Sequence, residues 1–353
     1  MSTPSISVVM SVKNGASFLR ESIESILGQS FADFEFIIVN DGSTDGTAVI
    51  LSEYAKDERV KIYGQSSLGL IASLNRGCRL AQGKYIARMD GDDVATIDRL
   101  LWQYSFLEAN VHVGAVGGAV EIMNVNGKSL RTYRYPTDDR EIRSVLYRGG
   151  CPFCHPAVMM RTDAYAAVGG YRKVMVDAED YDLWLQIADG NQLANLPDVV
   201  LKYRRHAAQV SVRKCSQQAL SSTIARAAAL HRRTGRPDGL NGLSEITPAV
   251  LESLGVTDVS RQSALARGYL TSIQSMSEVG EYSVAGALVD TLRSFDWKSV
   301  EKSVFADYLL LSASLQWHER RFFRSAVSVV QALVTRPRTL GRPLKPLLSR
   351  LSL

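Results

Sequence analysis

The run Lys84-Tyr85-Ile86-Ala87-Arg88-Met89-Asp90-Gly91-Asp92-Asp93 takes an apolar segment straight into three acids within four residues. Lys84 to Met89 reads as a strand, and Gly83 before it reads as a break that closes the preceding helix. The acids therefore stand at the carboxyl end of a buried strand. Like charges packed so closely repel, and each is costly to hold unpaired beside a core. A divalent cation shared with a phosphate-bearing ligand would compensate them, because hard cations take carboxylate oxygens. The competing reading is a solvated acidic turn that starts the next helix. This stretch alone does not separate the two.

Working back toward the N-terminus, Ser5 to Val12 is rich in β-branched residues and reads as a central strand. Phe18, Leu19, Ile23, Ile26 and Leu27 recur at helical spacing, with Ser17 placed to cap them. Phe34 to Val39 is a second strand, leading into Asn40-Asp41-Gly42-Ser43-Thr44-Asp45-Gly46 and a helix. Val60 to Tyr63 is a third strand, and Leu68 to Leu80 is helical. Such alternation predicts a mostly parallel sheet covered on both faces, with ligands outside the carboxyl ends of its strands. Polar clusters fall there three times: Ser11 to Asn14, Asn40 to Asp45, and Asp90 to Asp93. Asp41, Ser43, Asp45 and Gly46 imitate the first half of an EF-hand loop, but Ser52 stands where the closing acid belongs. A carboxylate at a strand end is instead suited to a base or ribose.

Further along, Ile97 to Leu107 reads as a helix, Val113 to Val125 as β structure turning at Asn126-Gly127, and Asp138 to Tyr147 as a helix. Cys151-Pro152-Phe153-Cys154-His155 matches the haem-attachment spacing, but the Ala157 to Met160 run after it reads as a strand, so haem and redox readings are set aside. His155 is read as structural or at a pocket wall. Glu179-Asp180-Tyr181-Asp182 opens a helix whose apolar face is Leu183, Trp184 and Ile187. Acids there suit the helix dipole, and one could equally serve as a general base. Val199 to Arg204 reads as the last strand of this part, with Arg204 and His206 suited to phosphate or metal.

Ser7 to Asn14, Ile38 to Asp45 and Arg88 to Asp93 together resemble the family 2 glycosyltransferases, over about residues 5 to 212. The resemblance implies an inverting, metal-dependent enzyme of the GT-A fold, a Rossmann-like nucleotide-diphospho-sugar fold, with Asp90-Gly91-Asp92 as its DxD motif. It implies that Asp41 recognises the base or ribose, with Ser11 and Asn14 as a lip of the nucleotide pocket. Asp90 would hold the nucleotide side, with Arg76 and Arg204 facing the nucleotide and its phosphate. Asp92, and His206 through the Tyr-Arg-x-His ending, would ligate Mn²⁺ or Mg²⁺. Asp180 would be the base, and Glu179 and Asp182 would support it or bind the acceptor. Asp93 would only start the next helix. The implied substrates are a nucleotide-diphospho sugar, UDP-linked in first preference, and a saccharide or lipid-linked acceptor in surface polysaccharide or glycolipid synthesis. Two other classes stay open: a nucleotidyltransferase that makes a sugar nucleotide, and a non-catalytic scaffold with a vestigial site.

Composition agrees with a soluble globular chain of 353 residues, 46% hydrophobic and 22% charged with a net charge of +5. No broad basic stripe in the first half points to nucleic acid. No apolar run has membrane-spanning length, no signal peptide is read, and four Cys suggest reduced thiols, so a cytoplasmic enzyme is expected. The expected organisation is a catalytic domain at 1–212, a helix and linker at 213–240, a helical domain at 241–335 and a basic tail at 336–353. Tyr269-Leu270 with Gly286-Ala287-Leu288 is echoed by Tyr308-Leu309 with Ser325-Ala326-Val327, as in a pair of TPR-like helical hairpins or a small bundle. From Arg320 onward there are eight Lys or Arg and no Asp or Glu, which suits a solvated end or peripheral contact with the inner face of a membrane. The oligomeric state is not legible.

Overall fold

The computed structural model describes residues 3–205, 214–278, 280–318 and 322–335. His206 and the 336–353 tail lie outside them. The chain divides into two compact units: Met1–His206 with Ala225–Ile246, and Ala207–Ile224 with Thr247–Leu353.

The first unit is α/β. Its strands are β1 (Ile6–Val12), β2 (Phe34–Asp41), β3 (Val60–Gln65), β4 (Tyr85–Met89), β5 (Val94–Ala95), β6 (Val113–Met123), β7 (Ser129–Tyr133), β8 (Met159–Arg161) and β9 (Gln192–Arg204). Its helices up to β9 are α1 (Leu19–Leu27), α2 (Thr47–Tyr54), α3 (Leu70–Leu80), α4 (Arg99–Ala109), α5 (Asp139–Tyr147), α6 (Thr162–Ala167) and α7 (Glu179–Gly190). The strand order is β3-β2-β1-β4-β8-β6-β9-β5, with β7 on β6. The first four strands in that order run parallel, as the βαβ alternation dictates. Beyond them the sheet is mixed. β8 is antiparallel to both β4 and β6, β6 and β9 are parallel, and β5 is antiparallel to β9. The N-terminal half is parallel throughout, and beyond it β6 and β9 keep a parallel pairing within a mixed sheet. Ile6, Val8, Met10, Phe36, Ile38, Tyr85, Ala87 and Met89 lie in one core with Leu19, Ile23 and Ile26 of α1.

Two local expectations are corrected. Ser17 does not cap α1; the helix starts from Phe18 without a side-chain cap, and the Gly15 carbonyl accepts the amides of Phe18 and Leu19. Gly83 does not close α3, which ends at Leu80 with Ala81 extended. Gly83 is required by close approach: a Cβ there would lie 2.6 Å from the Ser7 nitrogen and 2.7 Å from the Ile6 carbonyl carbon.

The second unit is helical. Asp258–Glu278 packs with Tyr282–Arg293, and Lys302–His318 packs with Phe322–Thr335. Leu270, Ile273, Val289, Leu292 and Val304 share a core, and Trp297 stacks on Tyr308 at 4.5 Å between ring centroids. No helix among the described residues is long and apolar enough to cross a membrane.

Candidate active site

β4 is buried along its whole length, and Arg88 lies within it with only 2% of its surface exposed. A guanidinium so placed needs a counter-charge. It finds one in the Asp90 carboxylate, while its Nε has no hydrogen-bond partner. The Arg88 carbonyl accepts from Arg99 Nη2 at 2.7 Å, which anchors α4 beneath the strand end. Asp90, Asp92 and Asp93 each bring a carboxylate oxygen to within 4.8 Å of the others. Asp93 is fully buried; its Oδ1 accepts the Arg204 amide at 2.8 Å and its Oδ2 has no hydrogen-bond partner. Burial, with the charges of Asp92 and Asp90, pushes its carboxyl well above the usual range. Burial also raises Asp90, against the pull of Arg88. Clustered hard oxygens, one of them buried and unpartnered, are a donor set that fits Mg²⁺ or Mn²⁺. Asp93 does not start a helix as expected: β5 follows it, and α4 begins only at Arg99.

At the end of β2, Asp41 is 2% exposed. Its Oδ1 accepts from Gln65 Nε2 at 2.7 Å and the Leu68 amide at 2.8 Å, and its Oδ2 accepts the Gly69 amide at 2.9 Å. Burial raises this carboxyl, but those donors outweigh it and hold the group below its ordinary value. Asp41 thus folds the β3–α3 loop, where Gly69 has φ +91°. Arg76 Nη1 donates to Gln65 Oε1 at 3.1 Å and to the Gly64 carbonyl at 2.9 Å, extending the same network. The β1–α1 loop is joined to the β2–α2 loop beside it. Asn14, at φ +54°, accepts the Thr44 amide at 2.8 Å and donates its own amide to Ser43 Oγ at 3.0 Å. Lys13 Nζ donates to Ser67 Oγ at 2.6 Å, tying the first loop to the third. Ser11, near the end of β1, is half-buried.

The third group is the start of α7, entered through Asp177 at φ +64°. Glu179 is 6% exposed, and burial together with the Asp180 charge pushes it up to about 8. Burial raises Asp180 as well; the Tyr181 amide, donating to Asp180 Oδ1 at 2.7 Å, and the Arg88 charge oppose this, while the Asp90 charge adds to it. One guanidinium therefore acts electrostatically on Asp90, Glu179 and Asp180. His155 stands nearby with its Nε2 2.9 Å from Tyr171 Oη, and burial with the Arg88 charge holds it neutral.

The sequence model of glycosyl transferase family 2 matches residues 7–169. EpsE of Bacillus subtilis, which bears a glycosyltransferase name, is 40% identical over 209 residues, 58% of this chain and 74% of that protein. This chain is a member of glycosyltransferase family 2. The O-antigen biosynthesis glycosyltransferase WbnJ of Escherichia coli is 36% identical, over 57% of this chain and 80% of WbnJ. The amylovoran biosynthesis glycosyltransferase AmsE of Erwinia amylovora is 32% identical, over 56% of this chain and 74% of AmsE. Staphylococcus aureus TarS 1–349 in complex with UDP-GlcNAc is similar in fold at TM-score 0.51 and 16% identity, covering 95% of this chain and 91% of that one. The mannosyltransferase PcManGT of Pyrobaculum calidifontis, in complex with GDP-Man and Mn²⁺, scores 0.51 at 18% identity, covering 95% and 87%. These likenesses agree with a GT-A-type fold. The nucleotidyltransferase and scaffold readings give way to the family 2 enzyme.

Within the family 2 frame, two of the expected site residues are engaged elsewhere. Arg204 is 2% exposed; it donates to Glu21 Oε2, to the Asp92 carbonyl at 2.9 Å and to the Val125 carbonyl at 3.1 Å. Strand alternation turns it inward, where it braces the acid loop and is not turned to an open phosphate site. Asp182 is fully buried and gripped by Nε and Nη2 of Arg172, with Nε donating to Oδ2 at 2.8 Å, so it supports α7 and is closed to an acceptor. Arg172 also reaches Asp238 at 2.6 Å; Arg232 joins Asp238 at 2.7 Å and Asp189 at 2.5 Å. His206 lies outside the described residues. The four cysteines are free thiols, so Cys151 and Cys154 form no disulfide. Sequence reasoning passed over Arg88 and Arg172. The signal for Arg88 was a lone cation inside an otherwise apolar strand two residues before an acid.

Proposed function

We propose that this enzyme moves a sugar from a nucleotide-diphospho sugar, UDP-linked in first preference, to an acceptor hydroxyl with inversion and with the help of a divalent cation. The observation that carries the reading is the acid loop at the end of β4, where Asp90, Asp92 and Asp93 bring carboxylate oxygens within 4.8 Å of one another and the buried Arg88 pairs with Asp90. That loop fits the donor side of a reacting centre, and the acids at the start of α7 fit the base side. The nucleotide would lie over the ends of β1, β2 and β4. Ser11 and Asn14 form one lip, and Asp41 with Gln65 and Arg76 orders the other at the base or ribose end. Asp92, with Asp90 and Asp93 beside it and His206 as a further ligand, would hold Mn²⁺ or Mg²⁺, which supplies charge neutralisation for the departing diphosphate.

Asp180 takes the proton of the acceptor hydroxyl as its oxygen bonds to the anomeric carbon. The bond from that carbon to the phosphate oxygen breaks on the opposite face, and the nucleoside diphosphate leaves with the electron pair. Glu179, carrying its proton near neutral pH, adds no second negative charge beside the base. The names of WbnJ and AmsE support a place in surface polysaccharide synthesis. A saccharide or lipid-linked acceptor is the matching class.

The test is nucleoside diphosphate release across a panel of sugar nucleotides, with Mn²⁺, Mg²⁺ or chelator. One donor should stand out and chelation should silence it. Asp180→Asn should lose transfer by a factor of about 10² or more while still binding donor; near-normal turnover would remove Asp180 from the role.

A further inference from the structure

β7 is exposed along its whole length, yet it carries a row of large side chains in mutual contact. β6 gives one edge to β9, which pairs Val120 with Leu201 and Ile122 with Tyr203. Its other edge takes β7, which sets Tyr133 beside Val120 and Arg131 beside Ile122. Paired residues point to the same face of a sheet, so Arg131 and Tyr133 share the face of Leu201 and Tyr203. Tyr135 continues the row. Its ring centroid lies 4.8 Å from that of Tyr133, and the Arg131 guanidinium lies 6.0 Å from the Tyr133 centroid. Tyr135 and Tyr203 rest against the core of the first unit, whereas Tyr133 is 44% exposed.

Two sets of hydrogen bonds fix where the row stands. At one end Arg204 donates from Nε to the Asp92 carbonyl at 2.9 Å and from Nη1 to the Val125 carbonyl at 3.1 Å, which joins the β6–β7 turn to the acid loop. At the other end Asn195 Nδ2 donates to the Pro136 carbonyl at 2.7 Å and to the Pro152 carbonyl at 3.0 Å, which joins the chain just past Tyr135 to the 151–154 segment. There Phe153 packs on Trp184 of α7 with ring centroids 5.4 Å apart, about one helical turn beyond Asp180. The row therefore runs from the acid loop to the helix that carries the base.

An acceptor has to lie between those two places to bring its hydroxyl to both. Two tyrosine rings beside a guanidinium suit a pyranose, whose C–H face packs on ring carbons while its hydroxyls meet the phenol oxygens and the cation at the rim. A second copy laid along β7 suits the row poorly. From Lys128 to Thr137 the chain holds Lys128, Arg131 and Arg134 and no acid, so like charge would meet like. We propose that, within the sugar-transfer reading on which this rests, the Arg131–Tyr133–Tyr135 row is the subsite that receives the acceptor and that it takes a pyranose ring.

The experiment mixes the full chain with a panel of methyl α- and β-pyranosides, with and without UDP and Mn²⁺, and reads binding by saturation-transfer NMR. At least one glycoside should bind, and Tyr133→Ala should weaken it about tenfold or more. Tyr133→Phe, which keeps the ring, should bind it nearly as the parent does. The Tyr133→Ala protein should melt within about 2 °C of the parent, because the side chain it loses stands on an exposed strand. A parent that binds no glycoside of the panel overturns the proposal, as does Tyr133→Ala binding like the parent. Loss of UDP affinity in Tyr133→Ala, followed by calorimetry, would also overturn it by moving Tyr133 to the donor side. So would a dimer dissociated by the same substitution, which would give the row to a second copy. Nucleoside diphosphate release from sugar nucleotides tests donor use by itself, so inert donors sink the sugar-transfer reading and unmoved glycoside binding sinks this one.

Discussion

Arg172→Met would remove the cation that neutralises a fully buried acid two residues beyond Asp180. Arg172 is 8% exposed and Asp182 is not exposed at all, so no water can replace the lost fork. Removing one partner of a buried pair costs about 3–5 kcal/mol, most of it the penalty for the stranded charge. Asp238 keeps Arg232 at 2.7 Å, which confines the loss chiefly to Asp182. For a unit of this size the cost corresponds to a fall of about 6–20 °C in Tm, at about 2–4 °C per kcal/mol. The assay is thermal unfolding followed by circular dichroism, with urea unfolding as a second measure. Pairing Arg172→Met with Asp182→Leu should recover much of the loss, because an apolar pair leaves no buried charge. Two acids enter the pH dependence with opposite signs: burial raises the Asp182 carboxyl in spite of Arg172, so it costs stability as pH rises, whereas Asp238 contributes stability at higher pH. Burial raises the Asp238 carboxyl too, but Arg172 and Arg232 more than offset this and hold it below the ordinary value. Its contribution is therefore present above the unfolded-state pKa and is lost as pH falls through the folded-state value. A chain ended after residue 212 lacks Arg232 and Asp238, and should melt lower still than the single variant. Arg172→Met melting within about 2 °C of the parent would refute the reasoning, since it would mean that Asp182 carries no uncompensated charge.

Three further outcomes are expected. Glu179, with its pKa pushed up to about 8, keeps a proton in the folded state that the unfolded chain has released, so it costs stability as pH rises from about 4.5 to 8. Glu179→Gln should flatten that fall in a pH series of melting temperatures and remain active at neutral pH. Mn²⁺ should raise the melting temperature of the parent by binding the native state; Asp92→Asn and Asp93→Asn should each weaken this about tenfold or more in a titration followed by calorimetry. Gly83→Ala should cost about 1–3 kcal/mol or more in urea unfolding, because the added methyl meets the backbone of Ser7 and Ile6 and not a side chain that could turn aside.

The parallel half of the sheet was legible because β1, β2 and β4 are short apolar runs separated by helical patterns, a sequence with few alternative packings. β8 was not legible in its direction. Its three residues form too short a run to declare a partner, and its antiparallel setting between β4 and β6 is decided by segments more than forty residues away. The acid clusters stood out because three Asp within four residues, and Glu179-Asp180 at a helix start, have few solvated explanations. What held them together did not stand out. A buried arginine is written in sequence with the same letter as an exposed one, and Arg88, Arg172 and Arg204 take their meaning from contacts that only the tertiary structure supplies. Arg204 was expected to face phosphate and instead reaches Glu21, on α1. Asp182 was expected to support the base or bind the acceptor, and it is sealed under Arg172.

The seat of β8 has a consequence for how the chain is made. Parallel pairing of β1 through β4 is complete once residue 89 has emerged, but β4's other edge waits for Met159–Arg161. At about 5–20 residues per second, roughly 4–14 s of synthesis separate the two. Over that interval a strand that is apolar but for Arg88 offers its unpaired amides and carbonyls beside nascent neighbours. The hazard is gone from the finished molecule, where β4 is a central strand. Slower initiation, lower temperature or a holding chaperone should therefore raise soluble yield without altering the stability of the protein once made.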